Sequence, residues 1–239
     1  NSLLDLGSGP GTASWAAIDT FSELTDITLI ERDRGLIDLG RTLAQSSGSS
    51  LLQTANWECA DLTASPTLRS NDLVVCSYTL GELDVQAARQ LIETAWSVAR
   101  IALVIVEPGT VPGFNAIREF RDQLIGLGAH IVAPCPHAND CPISGDDWCH
   151  FSQRLNRSAL HRRLKTGSMG HEDEKFSYIV VSRHPVETPA ARVIRHPQRR
   201  SGHAHLSLCT REGLQEKTVT RSAKADWKRA RKLSWGDAW

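Results

Sequence analysis

Over the first 130 residues, short apolar runs alternate with longer stretches in which apolar positions recur every three or four residues. The runs 2–6, 26–31, 56–60, 72–78 and 101–107 predict strands. Asp72-Leu73-Val74-Val75-Cys76 and Ile101-Ala102-Leu103-Val104-Ile105-Val106 are near-continuously apolar, as strands covered on both faces are. Segments 12–19, 34–46, 84–99 and 114–127 predict helices between them. In the third, Val85, Ala88, Leu91, Ile92 and Ala95 fall on one stripe suited to burial. Alternation of this kind builds a doubly wound, mostly parallel α/β sheet, here expected to hold seven strands.

The alternation stops near residue 130. Residues 133–150 are rich in Pro, Cys, Asp and Gly, an ordered loop that needs some device to hold it. Strand patterns return at 175–183 and 203–209, separated by a Pro- and Arg-rich excursion over 184–202. The chain therefore divides into a core over 1–132, a cysteine-rich loop over 133–150, further strands with a basic insertion over 151–210, and a basic tail over 211–239. It opens on a strand without an initiator Met, so a region upstream is expected.

Composition is ordinary for a globular protein, with 41% hydrophobic residues and no apolar run long enough for a membrane-spanning helix. The formal net charge of zero conceals a segregation. Residues 1–150 hold 8 Lys/Arg against 19 Asp/Glu, a net of −11, and residues 151–239 hold 19 against 8, a net of +11. A basic half of this size points to nucleic acid, or to attraction between the halves.

The first strand runs into Gly7-Ser8-Gly9-Pro10-Gly11-Thr12. Glycines at a strand–turn–helix junction let backbone approach a ligand and permit positive φ. Thr12 stands where a dinucleotide fingerprint has its last glycine, which disfavours NAD and FAD and suits S-adenosylmethionine. Glu31 ends the second strand, where a carboxylate can take both ribose hydroxyls. Asp61 follows the third, where one can accept from the adenine amine. Asp5 precedes the glycines, to fix the turn or meet the ligand's ammonium. Asp33 competes with Glu31 but is better placed to cap the following helix.

Six cysteines in a chain without secretory features argue against a disulfide framework. Cys59 and Cys76 lie in or beside apolar runs and read as buried residues. Cys135, Cys141 and Cys149 share one loop, and Cys209 ends a late strand, a pattern that suits a four-ligand metal site. The short Cys-x2–4-Cys chelate of structural zinc is absent. Looser thiolate spacing suits an iron–sulfur cluster, with zinc as the alternative and His137 or His150 as substitute ligands.

Methyl transfer to an exocyclic amine commonly uses an Asn/Asp-Pro-Pro-aromatic turn after the fourth strand. Here that turn reads Cys76-Ser77-Tyr78-Thr79-Leu80, and Cys76 lacks a flanking base to make it a nucleophile. Tyr78 and Glu82 are candidates for the substrate mouth, and no catalytic residue is assigned.

Several segments together resemble the mitochondrial small-ribosomal-subunit methyltransferase-like family, ribosome-assembly proteins with bacterial relatives. They are Leu4-Asp5-Leu6-Gly7-Ser8-Gly9-Pro10-Gly11, Ser77-Tyr78-Thr79-Leu80-Gly81-Glu82-Leu83 and Glu107-Pro108-Gly109-Thr110, together with Cys135-Pro136-His137 and Asp147-Trp148-Cys149-His150-Phe151. Glu174-Lys175-Phe176-Ser177-Tyr178, Leu208-Cys209 and Trp235-Gly236-Asp237 complete the likeness. The resemblance implies an S-adenosylmethionine-binding fold and a [4Fe–4S] cluster on Cys135, Cys141, Cys149 and Cys209. It also implies association with small-subunit rRNA during assembly, in the cytoplasm of a bacterium or the mitochondrial matrix of a eukaryote. Two functions follow as expectations: an assembly factor that keeps the pocket as a structural or sensing element, or an active rRNA methyltransferase.

Overall fold

The computed structural model describes residues 1–164 and 169–239. The chain begins β1 (Ser2–Leu6), α1 (Thr12–Thr20), β2 (Asp26–Glu31), α2 (Arg34–Gln45), α3 (Ser50–Gln53) and β3 (Asn56–Cys59). It continues with β4 (Asn71–Ser77), α4 (Val85–Val98), β5 (Ala99–Pro108), α5 (Val111–Gly126) and β6 (His130–Ala133). Then come β7 (Phe151–Asn156), α6 (Ala159–Leu164), β8 (His171–Ser182), β9 (Ala191–Val193) and β10 (Gln198–Arg199). β11 (His203–Thr210), β12 (Gly213–Thr220) and α7 (Ala225–Ala230) close the chain. These elements form two compact units that interleave along the chain, where the sequence suggested consecutive segments.

The first unit comprises Asn1–Glu107, Ala116–Ala133 and Tyr178–Glu187. Strands β3-β2-β1-β4-β5-β8-β6 lie side by side in that order, and β7 also pairs with β8, so the sheet holds eight strands where seven were expected. β1 pairs parallel with β2 and β4, and β4 with β5, while β8 runs antiparallel to β6. Helix starts follow local chemistry. Asp33 accepts from the backbone N–H groups of Gly35 and Leu36, as its spacing predicts, and Asp84 accepts from that of Ala87. The stripe on α4 buries Ala88, Leu91, Ile92 and Ala95, with Trp96 beside it, while Val85 stays exposed. Trp57 packs among Leu3, Ile27, Leu29 and Ile37. Its ring is approached so closely by Gly40 that a β-carbon there would collide with it.

The second unit comprises Pro108–Asn115, Pro134–Ser177 and Thr188–Trp239, residues 165–168 lying outside the described ones. In it β7 pairs antiparallel with the first half of β8, from Phe151 opposite Phe176 to Asn156 opposite His171. The strand expected over 203–209 forms as β11, but in an antiparallel sheet of its own with β9, β10 and β12. Along β11 the buried Ala204, Leu206 and Leu208 alternate with His203, His205 and Ser207.

Residues 211–239 are folded structure rather than the expected tail. β12 pairs with β11 from Gly213 to Thr220, and Val219, Ala230 and Leu233 enter the same core as Leu206 and Leu208. Trp227 and Trp239 pack against that core. The pattern hid β12 because Val219 alone among its residues is buried.

Deleting residues 213–239 should uncover Leu206 and Leu208, at about 1.5–3 kcal/mol for each side chain returned to water. Circular dichroism should then show the second unit unfolded at room temperature, whereas an unchanged melting curve would make this segment the dispensable tail.

Candidate functional site

The turn after β1 is shaped by Gly7, Gly9 and Gly11, with φ of 69°, 53° and 90°. These are left-handed values that other residues adopt at a cost. Gly7 and Ser8 donate backbone N–H groups to the Ile30 carbonyl at 2.9 and 3.0 Å, tying the turn to β2. A β-carbon on Gly7 would collide with the Thr79 side chain. Thr79 is buried, and its hydroxyl donates to the Leu6 carbonyl at 3.0 Å.

A cavity of about 910 Å³ opens beside this turn, at the carboxyl ends of the central strands. Asp5, Gly7, Gly9, Glu31 and Asp61 all line it, whereas Gly11 sits just behind, against Trp57 and Leu29. The expected acidic residues thus converge on one space, each with a structural duty as well.

Glu31 is buried and accepts from the Gly9 N–H through Oε2 and from the Asp33 N–H through Oε1, both at 2.9 Å. Each of its oxygens keeps a further lone pair. Asp61 is exposed and caps the 3₁₀ turn Leu62–Ala64, accepting from the Thr63 hydroxyl at 2.7 Å and the Thr63 N–H at 2.9 Å. Those bonds hold its carboxyl below the usual carboxylate range.

Asp5 is the unusual member. Its Oδ2 accepts from the Ser14 hydroxyl at 2.7 Å and the Ser14 N–H at 3.2 Å, while Oδ1 is buried without a partner among the described residues. Burial pushes its pKa up to about 6, against the opposing Ser14 hydrogen bonds. An orphaned carboxylate oxygen is costly unless something positive or hydrogen-donating answers it.

At the far side of the cavity Tyr78 adopts a left-handed φ of 56° and is 41% exposed, with Glu82 nearby. Glu82 forms an exposed ion pair with Arg32 at 3.7 Å. The loop behind them is fixed by Glu107, a residue whose role the sequence did not disclose. Its buried carboxyl accepts from the Leu80 N–H at 2.9 Å, and burial raises its pKa against that bond. Cys76 is fully buried, and its thiol is pushed well up by burial and then by Asp5 and Glu107, the opposite of the lowered pKa that activates a thiol. Cys59, by contrast, is exposed rather than buried.

In the second unit the loop after β6 is pinned at several points. Arg192 donates to the Pro134 carbonyl at 2.8 Å, Thr188 to the Pro136 carbonyl at 2.9 Å, and Trp148 Nε1 to the Gly109 carbonyl at 3.0 Å. Ser177 donates to the Cys149 carbonyl at 2.8 Å. Cys141, Cys149 and Cys209 come together around Phe114, Ile143 and Ile194. The Cys149 thiol is pushed up by burial first and then by Cys135, Cys141 and Cys209, so each of those three lies within electrostatic reach of Cys149.

His137 Nε2 lies 3.7 Å from Cys209 Sγ. His150 instead stacks on Trp148, with ring centroids 4.9 Å apart, and meets Trp235 edge-on at 4.8 Å. Among the described residues no group of three or more His, Cys, Asp or Glu is arranged to hold a single metal ion.

The pKa of Asp5 carries a prediction about stability. A carboxyl that binds its proton more tightly folded than unfolded favours the fold at low pH and disfavours it as pH rises from about 4 to about 6. The change is on the order of 2–3 kcal/mol. Urea denaturation across that window should show the fall in the parent chain and its absence in Asp5→Asn; identical slopes would remove Asp5 as its source.

A profile of the family described as mitochondrial small ribosomal subunit Rsm22 matches residues 1–239. The human protein named "Ribosome assembly protein METTL17, mitochondrial" is 28% identical over 254 residues, covering 98% of this chain and 54% of its own length. From Schizosaccharomyces pombe, "Rsm22-cox11 tandem protein 2, mitochondrial" is 25% identical over 289 residues, covering 98% of this chain and 38% of its own length. The chain thus spans about half or less of the length of these curated relatives. Among solved structures, an O-methyltransferase family 2 protein from Planctomyces limnophilus aligns with a TM-score of 0.51 at 12% identity, covering 77% of this chain and 50% of that one. That likeness establishes a Rossmann-like methyltransferase fold. Taken with the match along its whole length, the chain belongs to the Rsm22 family.

Proposed function

We propose that this chain is an S-adenosylmethionine-binding, iron–sulfur, methyltransferase-like protein that serves assembly of the small ribosomal subunit by holding its rRNA. The observation that carries the reading is the convergence of Asp5, Glu31 and Asp61 on one cavity beside left-handed glycines. The orphaned Asp5 Oδ1 suits the ligand's ammonium, the spare lone pairs of Glu31 suit ribose hydroxyls, and the exposed carboxylate of Asp61 suits the adenine amine. The bound group would supply an electrophilic methyl. The residues of this chain would orient it, neutralise its ammonium and keep water from its sulfonium.

Cys135, Cys141, Cys149 and Cys209 would hold the [4Fe–4S] cluster, which would crosslink the loop to the end of β11. Burial pushes the Cys149 thiol up, and a metal group taking the place of its proton would bind that sulfur as thiolate, with zinc as the alternative. The human relative's name speaks of ribosome assembly and the family description of the small subunit. The net of +11 over residues 151–239 makes rRNA the partner that charge favours. In a eukaryote this role belongs in the mitochondrial matrix, in a bacterium in the cytoplasm.

A second reading, methyl transfer to an rRNA base, draws on Tyr78, whose left-handed backbone and exposed ring at the cavity mouth are features that gather at working sites. Against it stand the absence of an amine-accepting turn and the buried Cys76.

Calorimetric titration should detect S-adenosylmethionine binding that Glu31→Ala weakens by at least about tenfold, a loss of roughly 1.4 kcal/mol; no binding by the parent chain would remove the cofactor. Protein purified without oxygen should be brown, with about four iron and about four acid-labile sulfide per chain, and Cys149→Ser should lower both. Zinc in their place would overturn the cluster. Tritiated methyl should not pass to small-subunit rRNA from cells lacking the protein, and incorporation that Tyr78→Ala abolishes would establish the second reading instead.

A further inference from the structure

The polar face of the four-stranded sheet bears a cavity of about 350 Å³ that the reading above leaves unused. Its floor is set by strand register. Gln198 lies opposite His205, and Ser207 opposite Glu216, so these four side chains share one face while Ala204, Leu206 and Leu208 fill the core behind. Arg195, His196 and Trp235 complete the lining.

His196 meets the Trp235 ring edge-on, with centroids 4.8 Å apart and planes at 69°. Arg195 donates to the Ile194 carbonyl at 2.7 Å and pairs with Asp147, which holds the guanidinium in place. The Trp235 Nε1–H is buried and meets no acceptor among the described residues. A buried donor of this kind calls for an acceptor from a ligand or an ordered water.

We infer that this cavity receives one unstacked RNA nucleotide whose base carries an exocyclic amine. The inference rests on the rRNA-binding reading and specifies where, and on what chemistry, a base is held. Aromatic rings at the margin of a sheet face, with a fixed cation beside them, suit an unpaired base and its phosphate. Glu216 decides between ligands. A carboxylate in the pocket repels free phosphate, but it accepts a hydrogen bond from the amine of cytosine, adenine or guanine. Uracil has no such group.

The test compares labelled oligo(C) and oligo(U) of equal length, bound to the purified chain and followed by fluorescence anisotropy across a salt series. Oligo(C) should bind roughly tenfold more tightly, the discrimination of one good polar contact to a base. Glu216→Gln should erase that preference, because its amide can serve either base. Trp235→Phe should weaken oligo(C) several-fold while leaving the melting temperature unchanged.

The salt slope should be the same for both oligomers. Replacing Lys224, Lys228 and Lys232, all exposed, with Gln should flatten it for both alike. Arg229 and Arg231 are spared because they pack over Trp239 and Trp227. Equal affinity for the two oligomers, or a preference that survives Glu216→Gln, would overturn the subsite and leave the rRNA reading standing. Absence of RNA binding at any salt would overturn both.

Discussion

Between β1 and α1 the chain reverses over Gly7–Gly11 with backbone angles that ordinary residues avoid, and glycines bring no side chains to brace it. The bracing comes from neighbours. The Glu31 carboxylate grips the Gly9 N–H with one oxygen and the Asp33 N–H with the other, so a single side chain fixes the turn and the start of α2 together. Thr79 presses on Gly7 from the turn after β4, and Trp57 occupies the space that Gly11 and Gly40 leave. The cavity is the hollow these contacts keep open. Its three carboxylates are each held by hydrogen bonds from the chain itself, the kind of preorganisation that ligand binding rewards.

The second unit solves a different problem. Residues 134–150 form no helix or strand, and their backbone groups are met by side chains of Arg192, Thr188 and Ser177. The cysteines lie among those pins, and Ile194 and Phe114 pack around them. The same economy governs the aromatic residues. His150 is held between Trp148 and Trp235, and Trp235 also meets His196 at the edge of the second cavity. Arg229 and Lys217 flank Trp239, so part of the basic surface is also packing.

Strong periodicity made β1, β2 and α1 legible to within a residue, because nearly every position in β1 and the C-terminal half of β2 is buried. The glycines, Glu31 and Asp61 were legible for a related reason: strand-end chemistry is local. β12 and β7 were not, since Val219 and Phe151 are the sole buried residues in them and their partners are fixed by register rather than pattern. Long-range roles were hidden too. Ser14 as the donor to Asp5, and Glu107 as the anchor of the Leu80 turn, depend on groups that meet only after folding.

The claim that matters most is that the first unit is a cofactor pocket and not merely a sheet with a glycine turn. Hydrogen exchange with and without S-adenosylmethionine tests it directly. Binding as described should slow exchange at the amides of residues 8–14, 31–34 and 61–63, which surround the three carboxylates. Unchanged exchange there, at cofactor concentrations that saturate other methyltransferase folds, would contradict it.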